Sequence, residues 1–197
     1  MIKFWWVRHA PVIGNDNCCY GNNEVDCDTS NIKSFKSLAS KLPNEATIYT
    51  SGLSRAIKTY WSVKKLKNIS INNIVDKRLE EQNLGDLTGL KYNDLTTLAK
   101  KNNFFSENWL TKPDYIPPNG ESYNNLLNRV NQFLSDIIKM NKNENIIIFS
   151  HGGPIRAALS IALHYKKNDV ININIENTKL TKIDYINKSW HINSINE

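Results

Sequence analysis

Two arginines and two histidines stand at or shortly after the ends of apolar runs of the kind that form buried strands. Arg8 and His9 follow the first such run, Arg55 lies one helical turn past a second, and His151 follows a third. Guanidinium groups bind phosphate oxygens in a two-pronged manner, and a neutral imidazole is a nucleophile near neutral pH. A single histidine after a strand is more often structural than catalytic. The chemistry therefore depends on whether these four side chains converge.

Strand-like and helix-like segments alternate along the chain. Apolar, β-favouring runs predict strands near residues 4–8, 46–50, 69–75 and 146–149. Further strands at about 170–175 and 179–187 predict a hairpin or sheet edge, followed by a short strand at 189–195. Apolar residues at helical spacing predict helices over 32–42, 56–66, 95–99, 126–138 and 155–162. This alternation predicts an α/β fold, a three-layer α/β/α sandwich with a mostly parallel central sheet.

The carboxyl ends of parallel strands lie at one edge of a sheet, where open α/β sheets bind their ligands. The four basic residues would emerge together at that edge. Helices begin there too, after Gly52 and after Gly153. Guanidinium groups, imidazoles and unpaired helix N–H groups in one place suit a phosphate.

Composition restricts the class of protein further. The chain has 197 residues, 40% of them hydrophobic, and one domain over residues 1–197 is expected. The net charge is +6, and the sequence contains no long run of basic residues. We therefore expect a small anionic metabolite as the partner, rather than a nucleic acid. Cys18, Cys19 and Cys27 have neither disulfide nor zinc spacing. Without a signal peptide or a membrane-spanning stretch, we expect a cytoplasmic protein that binds no membrane.

Five segments together resemble the signature of one known family. They are Val7–Ala10 (Arg-His-Gly in the family), Ser51–Thr59 (Ser-x-Leu-x-Arg-Ala-x-x-Thr), Glu81–Gly89 (Glu-x-x-Phe-Gly-x-Trp-Glu-Gly), Asn119–Ser122 (Gly-Gly-Glu-Ser) and Ser150–Gly153, the second histidine motif. Each is weak alone, but they occur in the family's order. The chain is similar to the histidine phosphatase superfamily, which has the phosphoglycerate-mutase-like fold.

Within the superfamily, the small α-ribazole phosphatases look most similar. The likeness rests on overall length, on the segment before Gly89 and on the stretch His151–Leu159. The chain departs from the family pattern at Ala10, where Gly is usual, at Val12, where a hydroxyl residue is common, and at Leu87-Thr88, where Trp-Glu is usual. The likeness implies α-ribazole 5′-phosphate as the substrate, in the assembly of the cobalamin nucleotide loop.

The resemblance implies a mechanism as well. His9 would attack phosphorus and form a phosphohistidine, which divides one difficult displacement into two easier ones. The implied phosphate ligands are Arg8, Arg55, Asn15, Gly152 and the catalytic His151. No metal or cofactor is expected, because fixed cations would stabilise the transferred phosphoryl group.

The leaving alcohol needs a proton, and the implied general acid and base is Glu81. Glu80 is the neighbouring alternative, and only the register to the following Leu-Gly favours Glu81. Arg156 and Glu121 are candidate substrate contacts. A surface position for Arg156, and a supporting or helix-start position for Glu121, fit the sequence equally well.

Other functions stay open. The same chemistry serves a phosphoglycerate-type mutase, which Val12 and Gly14 argue against, or a broad-specificity sugar or nucleotide phosphatase. A non-catalytic phosphate-binding module is the third class.

A lid or excursion is expected over about residues 82–120, where residues 103–120 contain three prolines. A homodimer is also left open.

Overall fold

The computed structural model describes residues 1–67, 69, 72–107, 110–140, 144–164 and 172–197. Its strands are β1 (Ile2–Arg8), β2 (Thr47–Thr50), β3 (Ile74–Val75), β4 (Asn145–Ser150), β5 (Leu180–Ile186) and β6 (Ser189–Ser194). Its α-helices are α1 (Ile32–Lys41), α2 (Ser54–Lys67), α3 (Tyr92–Lys101), α4 (Tyr123–Lys139) and α5 (Gly152–Ala162). Short 3₁₀ turns span Lys77–Leu79 and Gly85–Leu87. No helix in this part of the chain is long and apolar enough to cross a membrane.

The described strands form one mixed sheet in the order β3-β2-β4-β1-β5-β6. The first four in that order run parallel, whereas β5 and β6 are antiparallel additions at one edge. Arg8 at the end of β1 pairs with Ser150 at the end of β4, and Thr50 at the end of β2 pairs with Phe149. Three central strands therefore end at the same edge, as the sequence predicted.

Apolar clusters cover both faces of the sheet. Phe4 and Trp6 of β1 point to one face, where they pack with α4 and α5. Val7 points to the opposite face, which is covered by α1 and α2. Successive side chains of a strand alternate between faces, so a strand buried on both sides is apolar throughout. This arrangement confirms the predicted three-layer sandwich.

A third apolar cluster lies outside the two sheet faces. Leu84, Leu95, Ala99 and Phe104 are buried in it, and the ring of Phe104 stacks on Tyr115 with centroids 4.0 Å apart. The cluster therefore gives α3 and its flanking segments a small core of their own. Apart from Cys19, its members fall within the excursion expected over residues 82–120. Its action as a lid stays a prediction.

Two predicted strands differ in the structure. The strand predicted at 69–75 is reduced to Ile74–Val75, an exposed two-residue edge, and residues 68, 70 and 71 lie outside the described part. The strand predicted at 170–175 is wrong over 172–175, which is not a strand, and residues 170 and 171 are not described. The hairpin at the sheet edge is instead β5 with β6. An apolar pattern alone did not distinguish a short edge or an ordered loop from a paired strand.

Candidate active site

The residues that follow β1, β2 and β4 are brought together at the carboxyl edge of the sheet. His9, Ser51 and His151 are all fully buried there. The His9 N–H donates to the carbonyl of Ser150 over 3.0 Å, and the rings of His9 and His151 have centroids 5.1 Å apart. The two predicted histidines are therefore neighbours, although 142 positions separate them in the chain.

The His9 ring is held in one tautomer. Its Nδ1 lies 2.6 Å from the carbonyl oxygen of Ala10, which is only an acceptor, so Nδ1 carries the ring proton. Nε2 keeps its lone pair, and this buried atom has no hydrogen-bond partner among the described residues. Burial, and then the charges of Arg55 and Arg8, lower the pKa of His9 to about 3, against a smaller opposing effect of the Ala10 carbonyl. His9 is therefore neutral and nucleophilic at physiological pH.

The backbone around His9 is anchored by α2 and by the segment before β5. The Ala10 N–H donates to Thr59 Oγ1 over 2.8 Å, and that hydroxyl donates to the Arg55 carbonyl over 2.7 Å. Asn177 Nδ2 donates to the His9 carbonyl over 2.8 Å. These bonds explain why a threonine closes the motif Ser51–Thr59.

Two guanidinium groups flank the amino end of α5. A Cβ placed on Gly152 would lie 3.0 Å from Arg156 Nη1, so glycine leaves this group room, and 3.8 Å from Arg8 Nε, which is ordinary contact. Arg8 donates through Nη1 to the carbonyl of Ile175, whereas its buried Nε has no partner among the described residues. Arg156 Nε donates to the Ile173 carbonyl over 2.7 Å. Because these cations lie beside the amino terminus of a helix, the surroundings of Gly152 are suited to bind an anion.

Arg55 lies behind the two histidines with no exposed surface. Its Nη1 and Nη2 donate to the carbonyls of Asn23 and Gly21 over 2.7 and 2.9 Å, and its guanidinium lies 5.1 Å from the centre of the Tyr20 ring. Burial lowers the pKa of Arg55 from its usual value, and the charge of Glu81 opposes that effect. Each terminal nitrogen still has a second N–H group that these bonds do not use.

His151 is held at both ring nitrogens. Arg55 Nε donates to its Nδ1 over 3.2 Å, so the ring proton is on Nε2, which lies 2.8 Å from Ser51 Oγ. Burial, and then the charges of Arg55 and of His9, lower the pKa of His151 well below 6.5. His151 is therefore a neutral donor, and a phosphate oxygen could replace the Ser51 hydroxyl as its acceptor.

The side chain of Glu81 reaches the amino end of α5. Its Oε1 and Oε2 accept from the Gly153 N–H over 3.1 and 3.2 Å, and Oε1 accepts from the Gln82 N–H over 3.0 Å. A Cβ on Gly153 would lie only 2.1 Å from Glu81 Oε1, so glycine leaves room for the carboxylate in this position. Glu81 lines the cavity described next, and Glu80 does not. The geometry therefore favours Glu81 over its neighbour.

Arg8, Glu81, Gly152 and Arg156 line a cavity of about 320 Å³. Its lining residues are Arg8, Cys19, Tyr20, Gly21, Glu81, Gln82, Leu84, Tyr92, Glu107, Leu110, Gly152 and Arg156. Arginines and the start of α5 thus meet tyrosine and leucine side chains from the region of the third apolar cluster. Among the described residues, no three His, Cys, Asp or Glu side chains are placed to hold a metal ion.

Five candidate residues are not part of the cavity lining. His9 and Arg55 contact the lining residues Tyr20 and Gly21, and His151 packs against His9. Asn15 and Glu121 are bound elsewhere. The side chain of Asn15 closes a local turn, accepting from the Asn17 N–H over 3.0 Å and donating to the Cys18 carbonyl over 3.4 Å. The carboxylate of Glu121 is bound by Arg129 over 2.7 and 3.1 Å. The structure therefore does not bring Asn15 or Glu121 to the cavity, whereas it brings Arg156 there.

Several cavity residues carried no signal in the sequence. Tyr20, Tyr92 and Glu107 come from loops and from the start of α3, where no periodicity relates them to the strand ends. Ser51 stood within a family-like segment, but only the fold shows that it faces His151. Such contacts depend on how distant segments pack, which a local pattern does not encode.

Comparison with known proteins agrees with the fold and with the motifs. The family model for the histidine phosphatase superfamily (branch 1) matches residues 4–197, and the chain belongs to that superfamily. Phosphoserine phosphatase 1 of Hydrogenobacter thermophilus is 30% identical, over 80% of this chain and 74% of that protein. The metal-independent phosphoserine phosphatase of Arabidopsis thaliana is 28% identical, over 96% and 82%.

A solved structure shares the whole architecture. The α-ribazole phosphatase from Shigella flexneri superposes with a TM-score of 0.81 at 20% identity, covering 99% of this chain and 96% of that one. Likeness at this identity shows the fold alone. Family membership together with the phosphatase relatives makes the chain a phosphatase, a phosphoric monoester hydrolase of the histidine phosphatase type.

Proposed function

We propose that the protein hydrolyses a small phosphomonoester through a phosphohistidine on His9. One observation carries the proposal. Arg8 lines the cavity, and the ring of His9 lies 6.3 Å from that of the lining residue Tyr20. Arg8 Nε and His9 Nε2 are both buried, and neither atom has a hydrogen-bond partner among the described residues. Buried polar atoms are normally paired, so such atoms point to a missing ligand. A phosphoryl group supplies an electrophilic phosphorus for His9 Nε2 and an oxygen acceptor for the N–H of Arg8 Nε.

In the first step, His9 Nε2 forms a bond to phosphorus while the bond from phosphorus to the alcohol oxygen breaks. Glu81, in its protonated form, gives its proton to that oxygen, and the alcohol leaves. Arg8, Arg55 and His151 would hold the equatorial oxygens, where charge is spread in the transition state. A neutral nucleophile and fixed donors need no reorganisation at the moment of reaction.

In the second step, water attacks the phosphohistidine. Glu81 takes a proton from the water, its oxygen bonds to phosphorus, and the nitrogen–phosphorus bond breaks. Inorganic phosphate and neutral His9 are the products, and Glu81 is protonated again for the next cycle. The same carboxyl group thus serves both steps in opposite directions.

His9→Ala tests the nucleophile. We expect a loss of kcat of about 10³-fold or more, in line with removal of a covalent catalyst. Wild-type enzyme quenched in alkali during turnover of a ³²P-labelled substrate should carry label that is lost in acid, as expected of a phosphohistidine, and His9→Ala should carry none. Full turnover by His9→Ala would exclude His9 as the nucleophile. EDTA should leave the wild-type rate unchanged.

Two substrates are proposed for this site. α-Ribazole 5′-phosphate, implied by the sequence resemblance, would place its base against Tyr92, Leu84 and Leu110. Phosphoserine is favoured by a separate observation: Arg156 and Glu107 line the cavity with opposite charges. These side chains could take the carboxylate and the ammonium group of an amino acid. Two relatives are also described as phosphoserine phosphatases.

The substrate test is a panel of phosphomonoesters compared by kcat/KM. It contains phosphoserine, α-ribazole 5′-phosphate, 3-phosphoglycerate, sugar phosphates and nucleotides. Glu107→Gln should lower kcat/KM for phosphoserine and leave α-ribazole 5′-phosphate unaffected. Isomerisation of 3-phosphoglycerate without phosphate release would make the protein a mutase instead.

We also propose that the protein is located in the cytoplasm, which suits a metabolite phosphatase with reduced thiols. The homodimer stays a prediction.

A further inference from the structure

The loop that carries Glu81 is bound by an ion pair that the chemistry above does not use. Glu121, just before α4, and Arg129, two turns along it, meet in a two-pronged pair with Nη2–Oε1 2.7 Å and Nε–Oε2 3.1 Å. The two side chains are only 19% and 20% exposed. Such planar, partly buried pairs fix orientation better than an exposed ion pair does.

The same pair also holds the backbone on both sides of Glu81. Arg129 Nη1 donates to the carbonyl of Arg78 over 2.7 Å, and Nη2 donates to the carbonyl of Glu81 itself over 3.0 Å. Glu121 Oε1 accepts from the N–H of Asn83 over 3.0 Å. Residues 78, 81 and 83 are therefore all attached, through their main chains, to one guanidinium–carboxylate pair.

Glu81 has no regular secondary structure to hold it in place. Residues 80–84 lie between two short 3₁₀ turns and form neither helix nor strand. The position of the carboxyl group therefore depends on its bonds to the amino end of α5 and on the attachment of its own peptide. Catalytic groups displaced by about 1 Å lose about 100-fold in rate.

We infer that Arg129, oriented by Glu121, is a positioning residue for Glu81. The inference rests on the proposed role of Glu81 as general acid and base. The guanidinium of Arg129 binds Glu121 and the carbonyls of Arg78 and Glu81, so it acts through the loop and not on the substrate. Lysine cannot replace it fully, because a single ammonium group does not reproduce the planar fork that binds Glu121 and two carbonyls.

The test uses Arg129→Met and two substrates that differ in their leaving group. An alkyl phosphate needs a proton on the departing oxygen, whereas p-nitrophenyl phosphate hardly does. We expect kcat for the alkyl phosphate to fall about 10- to 100-fold and kcat for p-nitrophenyl phosphate to fall by less than about threefold. Inhibition by inorganic phosphate should be unchanged, because the arginines beside Gly152 are untouched. Arg129→Lys should recover part of the alkyl phosphate rate.

Arg78→Met is the matched control. Arg78 joins the same loop to α4 through ion pairs with Asp76 and Asp136 at 2.7 and 2.6 Å, but its side chain does not touch Glu81. This variant should lower stability and leave the ratio of the two rates as in the wild type. If Arg129→Met does not fold, Glu121→Gln replaces it, and a smaller drop selective for the alkyl phosphate is expected.

Glu81→Gln separates the two proposals. It should slow the alkyl phosphate far more than p-nitrophenyl phosphate. If it slows both equally, Glu81 is not the acid, and the positioning role falls with it. If Glu81→Gln is selective while Arg129→Met slows both substrates equally, or slows neither, only the role of Arg129 is overturned.

Discussion

At the scale of single residues, the position of one proton on His9 decides the chemistry. The Ala10 carbonyl holds Nδ1–H and leaves the lone pair on Nε2. This carbonyl orients the ring and stabilises a positive charge on it, but burial disfavours that charge more strongly. Arg55 and Arg8 disfavour that charge further. The same cations that would bind the phosphate would therefore also make a phosphorylated His9 a good leaving group for the second step.

We expect the His9 ring to stay neutral across the range in which the enzyme would work. Its pKa of about 3 places its protonation far below that of a free imidazole, which has a pKa of about 6.5. In ¹⁵N–¹H correlation spectra of the ring, recorded from pH 8 down to pH 4.5, the His9 signals should not shift. The spectrum of His9→Ala identifies those signals. A titration midpoint between pH 5 and 7 would contradict this expectation.

At the scale of secondary-structure elements, the start of α5 is the part of the fold on which the site depends most. Gly152 leaves room for the guanidinium of Arg156, and Gly153 for the carboxylate of Glu81. Neither glycine has a positive φ, so the reason for both is space and not backbone conformation. The two glycines of the second histidine motif thus have separate steric roles.

Gly153→Ala should displace Glu81 without unfolding the protein. The added Cβ would approach Oε1 to 2.1 Å, so the carboxyl group must move. We expect kcat for an alkyl phosphate to fall about 10- to 100-fold, while the melting temperature stays the same or rises, since alanine is the better helix former. Steady-state kinetics and thermal unfolding measure the two effects.

Ala162→Gly is the control at the other end of α5. It should cost about 1 kcal/mol of stability through lower helix propensity and leave kcat unchanged. A Gly153→Ala enzyme with wild-type kcat would show that the carboxyl group of Glu81 does not need its observed position.

At the scale of the whole molecule, burying two neutral histidines links stability to pH. His9 and His151 have lowered pKa values in the folded protein, chiefly because of burial. In the unfolded chain both titrate near pH 6.5, so below that pH the unfolded state binds protons that the folded state does not. The stability that the two neutral histidines contribute is therefore fully present above about pH 6.5, and it falls as the pH is lowered toward about 3.

His9→Ala should weaken this pH dependence. Each such histidine contributes a slope that approaches about 1.4 kcal/mol per pH unit below pH 6.5. The loss of unfolding free energy between pH 7 and pH 5, measured by urea denaturation, should be about 1–2 kcal/mol smaller in His9→Ala than in the wild type. Equal losses in the two proteins would mean that the folded state accepts a proton on His9.

Much of the fold could be predicted from the sequence, because its strongest signals are local. β4 is buried on both faces from Ile146 onward, and β1 at Trp6 and Val7, so both strands are mainly apolar. The ends of these strands place Arg8, His9 and His151. The apolar pattern failed to predict strands correctly where the burial of a side chain and the pairing of its strand do not coincide. Ile69 is buried without belonging to a strand, whereas Ile74 and Val75 pair with β2 although both are exposed.

By itself the sequence determined the α/β class, the convergence of the strand ends and the family to which the motifs belong. Each of these follows from residues that are close together in the chain or from the order of segments. Only the tertiary structure decided which ring nitrogen of His9 is free, that Glu81 and not Glu80 reaches the start of α5, and that Arg129 holds its loop. Those features are hydrogen bonds made to particular atoms, several of them between segments distant in the chain, and their geometry exists only once the layers have packed.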